Sequence, residues 1–176
     1  MFHDLLSKFG SSKRKPKSIP VTLSTRVRLA RNLKEYPFPG KAEEGQRRAV
    51  LSKCMDAMTD MDSLKESTSL EVDDLSELDR QILVEKHLIS PELSQVDEGS
   101  GIVLSSDRNC CVMINEEDHL RIQVLQPGLE FEKVWQRADE LDSGIESHVN
   151  YAYDCELGFL TACPTNLGTG LRASAM

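Results

Sequence analysis

The chain has 176 residues, enough for one domain with a sizeable core, and its 39% hydrophobic and 28% charged residues are those of a globular protein. Its 21 basic and 29 acidic residues leave a formal charge of −8, which argues against a general nucleic-acid binder. No apolar run approaches the ~20 residues that cross a bilayer, and Met1–Gly10 is too poor in apolar residues for a secretory leader. Neither nucleic acid nor membrane is an expected partner, and the cytoplasm is the expected compartment. The five cysteines are odd in number and form no Cys-x-x-Cys pair, which predicts reduced thiols and no disulfide or zinc framework.

Residues 1–18 read as a basic tail carrying Lys13, Arg14, Lys15 and Lys17, and 19–176 as the folded part. From Val21 to Leu29 the residues alternate, with Val21, Leu23, Thr25, Val27 and Leu29 on one face and Thr22, Ser24, Arg26 and Arg28 on the other. That is the period of a half-buried strand. Tyr36-Pro37-Phe38-Pro39-Gly40 then breaks regular structure. The apolar stripe Ala49, Val50, Cys54, Ala57, Met58 predicts a helix over 43–58. The polar stretch 60–74 reads as irregular, and 75–88 as a second helix with Leu75, Leu78, Ile82 and Leu83 inward.

Short strands are predicted at 102–105 and 111–115 around a turn, and 119–125 alternates again, with Arg121 and Gln123 opposite Leu120, Ile122 and Val124. Gln126-Pro127-Gly128 closes that strand. Phe131, Val134, Trp135, Ala138, Leu141 and Ile145 mark a third helix, and 163–170 is a Gly/Thr-rich loop. Hairpins mixed with separate helices predict an α+β fold with a mainly antiparallel sheet flanked by helices.

Three segments carry chemistry. Arg26 and Arg28 project from one strand face. The planar fork of each guanidinium suits phosphate oxygens, although a solvated polar face reads the same way. Asn115-Glu116-Glu117-Asp118-His119-Leu120-Arg121 packs three adjacent carboxylates beside a cation, fit to hold a general base or to orient a cationic substrate, or else a solvated acidic turn. Cys163-Pro164-Thr165-Asn166-Leu167-Gly168-Thr169-Gly170-Leu171-Arg172 offers loop amides and an arginine to an anion, without the Gly-Lys-Ser/Thr of a P-loop. The histidines show no metal-ligand spacing, and His87 at a helix end reads first as a cap or surface residue.

Taken together, Leu23–Arg31, Asn115–Arg121 and Cys163–Ser174 resemble the three signatures of the ATP:guanido phosphotransferases, in that family's order. The resemblance implies an antiparallel sheet with ATP bound on it. It implies that Arg26, Arg28, Arg121 and Arg172 hold the phosphates, with His87 touching the nucleotide. The same nucleotide site, by resemblance, takes in Ser24, Thr25, Val27, Ala173, Ser174, Ala175 and Met176. Glu117 matches the carboxylate that grips the guanidinium and helps take its proton, and Cys163 the reactive cysteine beside it. Magnesium is expected to be carried mainly by the nucleotide's own oxygens.

Only a short tail precedes the first signature, which resembles the branch of bacterial protein-arginine kinases. That branch implies protein substrates with exposed arginine, and activator or quality-control partners. A second reading is an inactive nucleotide-binding or adaptor relative. Nothing after Arg172 matches the family's second substrate carboxylate. The chain is therefore expected to be the front part of a guanidino-kinase catalytic domain, incomplete at its C-terminus and not competent alone.

Overall fold

The alternation that begins near Val21 becomes β1, Ser24–Arg31, in which Thr25, Val27 and Leu29 are buried and Ser24, Arg26 and Arg28 are half-exposed. The computed structural model describes residues 21–59, 61–96 and 98–176, so the expected tail at 1–18 lies outside the described residues. The remaining elements are α1 (Glu44–Thr59), β2 (Thr68–Glu71), α2 (Glu77–Glu85), β3 (Gly101–Leu104), β4 (Cys110–Ile114), β5 (Leu120–Pro127), α3 (Phe131–Glu146), a small hairpin of β6 (Tyr153–Asp154) and β7 (Gly158–Phe159), and β8 (Leu171–Ala175). The main sheet has six strands in the order β2-β3-β4-β5-β1-β8, and every neighbouring pair in it is antiparallel. The fold is α+β, as expected.

Cross-strand partners share a face, so the register sorts the side chains. Val27, Leu29, Val112, Ile122 and Val124 pack under α1 and α3, where Val50, Cys54, Met58, Val134, Ala138, Leu141 and Ile145 supply the other half of the core. Removal of each such Leu, Ile or Val from water is worth about 1.5–3 kcal/mol, and this layer is the main source of stability. On the opposite face, Ile102, Leu104, Cys111 and Met113 are covered by Leu83, Leu88, Ile89 and Leu93 from α2 and the segment after it. That second cover reaches only the β2-β3-β4 half of the sheet. The β5-β1-β8 half of the same face presents Arg121, Gln123, Arg26, Arg28 and Arg172. Polar residues concentrate where the helical cover stops.

The sequence reading differs in four places. The polar stretch 60–74 contains β2, an edge strand whose four residues are too few and too polar to show a period. β8 was hidden likewise, because Leu171-Arg172-Ala173-Ser174-Ala175 is small, exposed and paired through its backbone to β1. α2 is shorter than 75–88: Ser76 caps it by accepting from the Asp79 N–H at 3.2 Å, and His87 closes it at φ 57° in the left-handed region. Leu78 is not inward but 61% exposed. At about 100° per residue, it lies some 140° around the helix from buried Leu83.

Candidate active site

β1 places Arg26 and Arg28 two residues apart on the uncovered face. Its neighbours complete the set: Arg28 stands opposite Gln123 of β5 and Arg172 of β8, Ala30 opposite Arg121, and Arg26 opposite Ser174. Four guanidinium groups from three strands thus share one surface. Burial, followed by repulsion from Arg26, Arg121 and Arg172, lowers the Arg28 pKa to about 10. Arg26 is lowered by burial and then by Arg172 and Arg121. Its buried Nε has no hydrogen-bond partner. Among the described residues no ion pair engages Arg26, Arg28 or Arg172. Like charges held together with three of the four guanidinium groups outside any described ion pair are a site prepared for an anion.

These arginines line a cavity of about 830 Å³ that also takes in His87, Ser90, Glu116, Glu117, Cys163 and Asn166. The β4–β5 turn delivers both carboxylates. Asn115 adopts the left-handed conformation there (φ 56°), and its side-chain amide donates to the carbonyls of Arg47 and Gly99, each at 2.7 Å. Glu116, with its side chain 1% exposed, accepts from Arg121 Nη1 at 2.6 Å and from Ser90 Oγ at 2.5 Å. Glu117 has a side chain 45% exposed and meets Arg121 Nη2 at 3.2 Å. The two adjacent carboxylates therefore differ in kind: Glu116 is spent on orienting Arg121, and Glu117 is open to the cavity.

His87 is exposed on the cavity rim, and its carbonyl accepts from Gln123 Nε2 at 2.7 Å, which ties the end of α2 to β5. Its left-handed backbone both ends the helix and brings the residue to the cavity. Cys163 is a half-buried free thiol whose Sγ lies 3.0 Å from Thr165 Oγ1. The loop that carries it returns to the sheet at Gly170, where φ is +63° and a Cβ would sit 2.5 Å from both the Ala30 carbonyl oxygen and Arg31 Nη1. Only glycine fits that approach, which sets the register of β8 and hence the height of Arg172.

The cavity thus brings together Arg26, Arg28, His87, Glu117, Arg121, Cys163 and Arg172. It does not include Ser24, Thr25, Val27, Ala173, Ser174, Ala175 or Met176. Thr25 is buried on the other face, where its Oγ1 donates to the Gly128 carbonyl at 2.7 Å and accepts from the Glu130 N–H at 2.9 Å. Val27 is core, and Ala173, Ala175 and Met176 serve the β1–β8 pairing. Sequence reasoning missed Ser90, Gln123 and Asn166 as cavity residues. Gln123 carried a signal, because it shares the polar alternation of Arg121; Ser90 and Asn166 carried none that their local sequence could distinguish from a turn.

A family model described as "ATP:guanido phosphotransferase, C-terminal catalytic domain" matches residues 49–176. A protein-arginine kinase of Halothermothrix orenii is 46% identical over 156 residues, covering 89% of this chain and 44% of that relative. One from Desulforamulus reducens is 49% identical over 160 residues, with 89% and 44% covered. The chain thus spans less than half the length of these relatives. Among solved structures, the substrate-free duplicated taurocyamine kinase of Schistosoma mansoni superposes with a TM-score of 0.81 at 31% identity, over 88% of this chain and 23% of that one. A lombricine kinase does so with a TM-score of 0.80 at 25% identity, over 88% and 47%.

Proposed function

This chain belongs to the ATP:guanido phosphotransferase family, and from that premise we propose that it is part of the catalytic domain of a kinase that phosphorylates arginine guanidinium groups on protein substrates. The observation that supports this most is the convergence of four guanidinium groups with one open carboxylate in a single cavity. The donor set suits a triphosphate: planar forks, three of them (Arg26, Arg28 and Arg172) without ion-pair partners among the described residues, and the orphaned Arg26 Nε. Arg26, Arg28, Arg121 and Arg172 would hold the phosphates of ATP, and His87 would contact the nucleotide from the rim. ATP supplies the transferable phosphoryl group, and magnesium travels on its oxygens.

The chain's own residues then do three things. The arginines fix the phosphates and stabilise the charge that develops between donor and acceptor. Glu117 receives the substrate guanidinium in a bidentate pair, which sets its nitrogen in line and gives the departing proton an acceptor. Glu116 holds Arg121 at its post. Cys163 lines the same cavity, where its thiol would flank the guanidinium. The shared name of the relatives supports a protein substrate. No described helix is long and apolar enough to cross a membrane, and we read the working compartment as the cytoplasm.

The test is a phosphorylation assay with magnesium-ATP and an arginine-rich protein, read as acid-labile phosphate assigned to arginine by mass spectrometry. Made in the complete protein, Glu117→Gln is expected to keep nucleotide affinity and lose ~100-fold or more in rate, the usual size of a lost acid–base group. A near-normal rate in that variant would reduce Glu117 to a solvated turn residue.

A further inference from the structure

The loop that carries Cys163 is held at its entry by groups that take no part in the chemistry above. Asp118 follows Glu117 in the chain yet points the other way and is fully buried. Its Oδ1 accepts from the Ala162 N–H at 2.6 Å and from Asn32 Nδ2 at 2.5 Å. Asn32 is 1% exposed and makes three links at once. Besides Asp118, its amide donates to the Leu160 carbonyl at 3.0 Å, and its Oδ1 accepts from the His119 N–H at 2.9 Å. One step further, Thr161 Oγ1 donates to the carbonyl of Cys163 itself at 2.9 Å. Asn32 therefore spans two segments distant in sequence, the carboxylate turn and the strand entering the cysteine loop, from its position directly after the arginine strand.

We infer that Asn32 and Asp118 are positioning residues, which lock the entry of the Cys163 loop onto the Glu116–Glu117 turn and so set the thiol wall of the cavity against its carboxylates. The physical case is burial and count. A buried carboxylate without a cation is costly unless its oxygens are well served. Here one oxygen takes two short bonds while Asp118 Oδ2 has no partner. A fold that retains so expensive a group uses it where geometry has to be exact to within fractions of an ångström, and two faces of a transfer site are such a place. The meaning for catalysis rests on the proposed reading of the cavity; the lock itself does not.

The experiment uses the full chain with exposed Cys155 replaced (Cys155→Ser), because the remaining thiols, Cys54, Cys110 and Cys111, are buried. Iodoacetamide labelling is followed by mass spectrometry at each cysteine, alongside ATP affinity by calorimetry. Asn32→Ala is expected to raise the labelling rate at Cys163 by ~5-fold or more, leave Cys110 and Cys111 protected, and keep the ATP dissociation constant within ~2-fold. Thr161→Val, which removes only the hydroxyl that donates to the Cys163 carbonyl, is expected to move Cys163 in the same direction and decides the matter if Asn32→Ala does not fold. Unchanged labelling at Cys163 in the folded variants overturns the inference. So does labelling that rises equally at Cys110 and Cys111, which would mean general loosening. These readouts need no phosphoryl transfer, so a failure of the kinase reading stays distinguishable from a failure of the lock.

Discussion

The four arginines are equivalent in a sequence but not in the fold, and magnitudes separate them. Arg121 is paired to a carboxylate that is almost wholly buried, at 2.6 Å. Arg172 has no ion pair among the described residues and sits on an exposed edge strand. Breaking a buried pair by removing one partner costs about 3–5 kcal/mol, because the other charge is stranded. A charge-assisted hydrogen bond to a ligand is worth about 1.5–3 kcal/mol. Arg172→Ala is therefore expected to weaken ATP binding by about 1–3 kcal/mol with little change in melting temperature. Arg121→Ala should lose both affinity and several degrees of stability. Parallel calorimetry and thermal melts check this, and equal melting temperatures for the two variants would refute the role given to Glu116. The sequence shows Glu116 and Glu117 as neighbours in an acidic run and cannot say which is buried, because that depends on the left-handed turn at Asn115 and on Ser90, which approaches from another segment.

At the scale of elements, what the sequence made legible was whatever repeats along the chain. β1, β5, α1 and α3 each carry an apolar period long enough to read, and each is present near the expected bounds. β2 and β8 are edge strands held by backbone pairing, which leaves no period to find. His119 shows how a motif residue can belong to the scaffold. It is fully buried, accepts from the Leu33 N–H through Nδ1 at 3.0 Å, and donates from Nε2 to the Pro37 carbonyl at 3.0 Å. Tyr36 and Phe38 meet its ring edge-on. It thus ties the exit of β1 to the start of β5 as a neutral imidazole. Burial is the main cause that lowers its pKa below the usual 6.5, against smaller opposing effects of the Pro37 bond and Asp118. A base depressed in the fold takes up protons later than it does in the unfolded chain. Stability is therefore full above about pH 6.5 and falls as pH drops below it. Thermal melts from pH 7.5 to 5 should show this fall, and His119→Gln should flatten it while lowering the plateau. Melting curves for the variant that run parallel to the parent across that window would show that His119 does not titrate with unfolding.

For the molecule as a whole, the arrangement of cover and charge is a compromise between stability and function. One face of the sheet is packed under helices over its central strands β3-β4-β5-β1, the other only over β2-β3-β4, and the uncovered remainder of that second face holds four like charges. Arg28 bears the largest share of that cost. Its pKa in the fold is about 10, below its value in an unfolded chain, so its charge disfavours the empty fold at neutral pH, and the penalty stays full up to about pH 10 and fades only as pH rises through it. A polyanion in the cavity reverses the sign, since each arginine then gains a counter-charge. Ligand at about 100 times its dissociation constant stabilises by about 2.7 kcal/mol. At roughly 2–4 °C per kcal/mol for a chain of this size, magnesium-ATP should raise the melting temperature by roughly 5–10 °C. Arg28→Gln should then move two quantities in opposite directions: the empty protein melts higher, because repulsion is relieved, and the shift produced by magnesium-ATP shrinks. Differential scanning fluorimetry with and without the nucleotide measures both. If Arg28→Gln melts lower when empty yet keeps the full nucleotide shift, the arginine cluster is a structural network and the phosphates bind elsewhere.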